Sequence, residues 1–91
     1  MTMTIADTTF DNVVYDAEAD VLYLHIGDPS TAVEFDATPE GHALRFDGGG
    51  RLVGLTIVGP SRLLEQDGSV AITLPARVDI ERAALAAALA A

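Results

Sequence analysis

The chain has 91 residues, no cysteine, and 14 acidic against 5 basic side chains, giving a net charge of −9. That length holds one domain with a modest core, and the missing cysteine excludes disulfides, thiolate metal sites and a cysteine nucleophile, in keeping with a reducing cytoplasm. The basic residues are all arginines scattered along the chain (Arg45, Arg51, Arg62, Arg77, Arg82), so the clustered cation that nucleic acid or an anionic membrane demands is missing.

In chain order, residues 1–9 have neither the basic start nor the apolar run of a secretory signal and read as a short flexible leader. No later run is long enough to span a bilayer. From Phe10 to Val58 apolar and polar residues alternate between turn residues, the pattern of antiparallel strands. The pattern predicts strands at Asp11–Tyr15, Asp20–Ile26, Val33–Asp36, Ala43–Asp47 and Arg51–Val58. The second is apolar on both faces, as a central strand is, with Leu22, Leu24 and Ile26 on one side and Val21, Tyr23 and His25 on the other. The third places Val33 and Phe35 inward and Glu34 and Asp36 outward; the fourth turns Leu44 and Phe46 inward. Asp47-Gly48-Gly49-Gly50 is a hairpin connection, and Gly54 within the fifth strand signals a bulge or a close backbone approach.

After Gly59-Pro60 the period changes. Ser61 is expected to cap a short helix through Leu63-Leu64-Glu65, and Val70–Leu74 alternates as a sixth strand ended by Pro75. Asp79 is then expected to cap an alanine-rich helix, Ile80–Ala91, with Leu85 and Leu89 one turn apart. A helix of that length is marginal alone, so it must dock on the sheet, at an oligomer interface or on a partner, which makes Leu85 and Leu89 candidate contact residues. The fold class is α+β: an antiparallel β-meander of five to six strands over residues 10–76, a short helix after strand five, and the C-terminal helix within 77–91.

Three constellations invite a chemical reading. Asp16-Ala17-Glu18-Ala19-Asp20 opens like a calcium loop, but such a loop needs glycine at its sixth position and an acid at its twelfth, where Val21 and Gly27 stand. Asp16 and Asp20 are therefore expected to shape a turn by accepting backbone N–H groups, and Gly50 and Gly54 are structural in the same sense. The glycines do not make a phosphate loop, because they join strand to strand and the chain has no lysine. His25 and His42 are the only imidazoles; with nearby carboxylates they could form a metal or acid–base site, although their spacing matches no ligand motif. Ser30, Ser61 and Ser69 lie in no nucleophile elbow. No cofactor motif is present.

Tyr15-Asp16-x-x-Ala19-Asp20-Val21-Leu22-Tyr23-Leu24, followed by Asp47-x-x-Gly50-Arg51-Leu52-Val53-Gly54-Leu55-x-Ile57, resembles the YuzE-like bacterial family, domain of unknown function 2283. The resemblance covers about residues 13–64 and implies a small antiparallel sheet with a short helix, without a catalytic site to carry over. Some relatives neighbour genes for small basic RNase-like proteins, which implies an antitoxin role. The expected function is a non-enzymatic protein-interaction module, homo-oligomeric, whose acidic surface or sheet edge at Glu34 and Asp36 meets a basic protein. The alternatives are a small metal-dependent enzyme or ligand-binding protein using His25 and His42, and a structural subunit of a larger assembly.

Overall fold

The computed structural model describes residues 1–74 and 76–90; Pro75, expected to end the sixth strand, and Ala91 lie outside them. Met3–Ile5 (β1) and Thr8–Phe10 (β2) pair as a hairpin around Ala6-Asp7, with Ala6 in the left-handed region at φ 54. The expected flexible leader is thus corrected. Met3, Ile5 and Phe10 alternate with threonines, and all three are buried in the core.

The central sheet holds Asn12–Asp16 (β3), Val21–His25 (β4), Glu34–Ala37 (β5), Ala43–Phe46 (β6) and Leu52–Val58 (β7), in the order β3-β4-β7-β6-β5, all antiparallel. The chain leaves β4, passes to the far edge as β5, and returns through β6 to β7 beside β4. A 3-10 turn at Pro29–Thr31 carries that crossing, capped by Asp28, whose carboxylate accepts the Ser30 N–H at 2.9 Å. The expected class, α+β with a largely antiparallel sheet and a terminal helix, is what the molecule has.

Pro60–Asp67 (α1) follows β7; Ser69–Thr73 (β8) and Arg77–Glu81 (β9) form a second hairpin, and Arg82–Ala90 (α2) closes the described chain. The helix expected from Ile80 therefore starts two residues later. Asp79 is not its cap: it lies in β9 and pairs with Arg77 at 3.2 Å.

One face of the sheet is covered. Leu22, Leu24, Leu55 and Ile57 pack there against Phe10, Leu64, Val70, Ile72, Ile80 and Leu85. The two small hairpins and the two helices are thus one layer laid over a five-stranded sheet, each element burying its apolar stripe against it. Among the described residues the opposite face has no such layer. Phe35 is 71% exposed, Val14 60%, Val33 59%, Val58 44% and Tyr23 40%. The inward placement of Val33 and Phe35 is accordingly corrected: β5 is an edge strand whose residues are all exposed, and Phe35 belongs to the open face. No helix among the described residues is long and apolar enough to cross a membrane.

Candidate functional site

The carboxylates of the β3–β4 turn are structural in this geometry. Asp16 accepts the Ala19 N–H at 3.2 Å and shapes the turn. Asp20 sits at φ 53, a conformation short polar side chains tolerate, and its carboxylate receives three donors: the Tyr15 hydroxyl at 2.7 Å and the Ser61 and Arg62 backbone N–H groups, each at 3.1 Å. Its carbonyl accepts the Gly59 N–H at 2.8 Å. Asp20 is therefore the side-chain cap of α1, whose own cap position is a left-handed Gly59 without a side-chain bond. Ser61, expected as the cap, instead donates its N–H. Burial pushes the Asp20 carboxyl up, but the Tyr15 hydroxyl and the two N–H groups outweigh it, so its pKa falls below the ordinary value. The same hydrogen bond, with burial and the Asp20 charge, raises that of Tyr15.

At the β6–β7 hairpin, Gly50 takes φ 80, which only glycine adopts freely. Asp47 receives the N–H groups of Gly49 at 2.9 Å and Arg51 at 3.0 Å, and the Arg51 backbone N–H leads the effects that lower its pKa. Gly54 is a close approach: a Cβ there would stand 3.1 Å from the Arg45 Cβ and 3.4 Å from Arg45 Nη1. The pairing register shifts beside it, between Arg45 and Phe46, leaving Val53 as the extra residue.

The two histidines are not brought together. His25 pairs with Gly54 on the open face. His42 precedes Ala43 and turns to the covered face, where it is 1% exposed and its Nδ1 accepts the Val58 N–H at 3.1 Å. Burial lowers its pKa, opposed in part by the Ala71 backbone and the Glu40 charge. Nδ1 thus acts as an acceptor and the ring is a neutral strut between strands. Among the described residues no group of three or more metal-ligating side chains converges.

Leu85 is fully buried in the chain's own core and Leu89 is half-buried against it, so α2 spends its apolar stripe internally. Leu85 is corrected from contact residue to core residue. Glu34 and Asp36 fare differently. Both are exposed on β5, paired with Phe46 and Leu44, beside a groove of about 630 Å³ on the covered side. Leu44, Phe46, Leu52 and Leu74 give that groove an apolar floor, and Asp7 and Asp36 are the charged residues lining it. Its end is pinned by Glu40, which accepts the Thr73 N–H at 3.0 Å and hydroxyl at 2.8 Å. Alternation along β5 and β6 hinted at the groove's floor; the wall at Ala6–Thr8 depends on a hairpin the residue pattern had not revealed.

No curated protein and no solved structure matches the chain. A family model described as "Protein of unknown function (DUF2283)" matches residues 12–61, which run from the first residue of β3 to Ser61, the donor at the start of α1 that Asp20 receives. That stretch contains all five strands of the central sheet and more than half of the chain, and the protein belongs to this family.

Proposed function

We propose that the protein is a non-enzymatic interaction module whose groove beside β5 receives a basic, amphipathic segment of another protein. The observation that carries this reading is the groove itself: an apolar floor for the partner's hydrophobic side chains, a rim whose charges are carboxylates, and Glu34 one residue pair along the edge. A net charge of −9 steers a cationic partner towards it. An antitoxin-like role, in which the partner is a basic toxin, is one instance of the same chemistry.

The test uses a synthetic Leu/Lys amphipathic peptide and its Leu/Glu counterpart, titrated calorimetrically. The Leu/Lys peptide binds, weakens as salt rises, and loses on the order of tenfold affinity against the Glu34→Arg/Asp36→Arg double variant. Equal binding of the Leu/Glu peptide, or indifference to the double variant, overturns the reading.

The open face favours a second reading, self-association. By strand alternation its described strands carry Asp16 and Arg45 as formal charges, with Asp28 at its rim, so the repulsion of two −9 chains is low there. Five strands at about 4.8 Å spacing and roughly 20 Å length give about 500 Å² per copy, or about 1,000 Å² per pair, the lower limit of a specific interface. The expected result is a weak dimer in sedimentation equilibrium that Val14→Glu dissociates. A wild-type monomer at millimolar concentration removes this reading.

A further inference from the structure

One row of the open face runs across four strands in direct register: His25 on β4, Gly54 on β7, Arg45 on β6 and Phe35 on β5. With strands about 4.8 Å apart, the imidazole and guanidinium side chains start about 9.6 Å from each other, and the residue between them has no side chain. The result is a dent floored by Gly54. The 3-10 turn closes one side, and the cavity has a volume of about 280 Å³.

Its cation lacks a partner among the described residues. Arg45 is half-buried, lies along the Gly54 backbone, and forms no ion pair or side-chain hydrogen bond among the described residues, in a chain where acids far outnumber bases. His25 Nδ1 is buried with no hydrogen-bond partner. A half-buried cation without an ion-pair partner, facing an apolar-walled cavity, leaves an anion's place open. Among the described residues Asp28 is the one carboxylate lining the cavity, and its Oδ1 is engaged by the Ser30 N–H. Its negative charge limits the site to a singly charged guest. Pro29, Ala32, Phe35 and Val53 supply apolar walls.

We propose that this cavity binds a small carboxylate with an apolar body. The planar carboxylate matches the Arg45 guanidinium in two parallel hydrogen bonds, while its body lies against Phe35 and Pro29. Gly54 is the residue that lets the Arg45 side chain lie flat across the strand. The site is independent of the groove beside β5, which lies on the other face.

Amide NMR spectra of the full chain test this with benzoate, the neutral isostere benzamide and inorganic phosphate. Benzoate shifts the signals of His25, Gly54 and Phe35 saturably in the millimolar range; benzamide and phosphate bind at least tenfold more weakly. Arg45→Gln abolishes the shifts, and Gly54→Ala weakens them by displacing the Arg45 side chain that lies against it, with the dispersion of each spectrum reporting that the fold survives. All titrations are repeated in Val14→Glu, three strands away from Arg45, so that self-association cannot hide the site. Saturable shifts there but not in the wild type place the cavity beneath a second copy and still support it. A peptide ending in a free phenylalanine carboxylate, set against its terminal amide, distinguishes a protein terminus from a free acid as the source of the carboxylate. Equal binding of benzamide, retained binding in a folded Arg45→Gln variant, or no saturable shift in either background overturns the proposal.

Discussion

At Asp20 one carboxylate ties three segments that lie apart in the sequence: the Tyr15 hydroxyl on β3, the turn into β4, and the first N–H groups of α1. Asp20→Asn keeps the left-handed backbone tolerable and removes only the charge, so it should cost about 1–2 kcal/mol in urea denaturation, the range of a lost helix cap. Tyr15→Phe should cost about 1 kcal/mol. Because the folded Asp20 pKa is lowered, its contribution is present above the ordinary value near 3.8 and disappears as pH falls through the lower folded value. His42 works in a higher window. Its folded pKa also lies below its ordinary 6.5, so the unfolded chain takes up the proton first and stability declines as pH drops below 6.5. His42→Asn keeps an acceptor for the Val58 N–H and cannot titrate; its thermal midpoint should stay level down to about pH 5, where carboxylates begin to matter, while the wild type's falls. Parallel curves for the two proteins would reject this role.

At the scale of elements, α2 is a structural clamp. Leu85→Ala empties a fully buried position and should cost about 2–5 kcal/mol, read by denaturation, with unchanged behaviour at the open face. The five strands of the sheet were legible because period-two alternation between Phe10 and Val58 is broken by glycine or proline turns and, between β3 and β4, by the acidic Asp16–Asp20 turn. The β1–β2 hairpin was less so: Met3, Ile5 and Phe10 alternate with threonines, but the Ala6-Asp7 turn carries no glycine to announce it. β9 was concealed by Asp79, which looks like a helix cap ahead of an alanine-rich run, until pairing with β8 overrode that local preference. The cap of α1 lies outside any local window, since its donor and acceptor are 41 residues apart. Similarly, β5 alternates as a half-buried strand should, yet its position at the sheet edge, where the covering layer stops, leaves Phe35 on the open face. Composition could name the acidic residues Glu34 and Asp36 but not the groove next to them, which takes its shape from the crossing of β5, β8 and the first hairpin.

For the molecule as a whole, the family segment, residues 12–61, is a sheet, and the residues on either side of it supply the layer that makes the sheet a core. Phe10 comes from one flank; Leu64, Val70, Ile72, Ile80 and Leu85 come from the other. This division has a consequence during synthesis. At roughly 5–20 residues per second, a ribosome needs roughly 1.5–6 s to add residues 62–90 after the last strand of the sheet has been made. Through that interval Leu22, Leu24, Leu55 and Ile57 have the β1–β2 hairpin, translated before them, as their shelter. The nascent chain therefore passes through a stage with a half-bare apolar sheet, the state that chaperones at the tunnel exit are suited to hold until α2 emerges and seats Leu85.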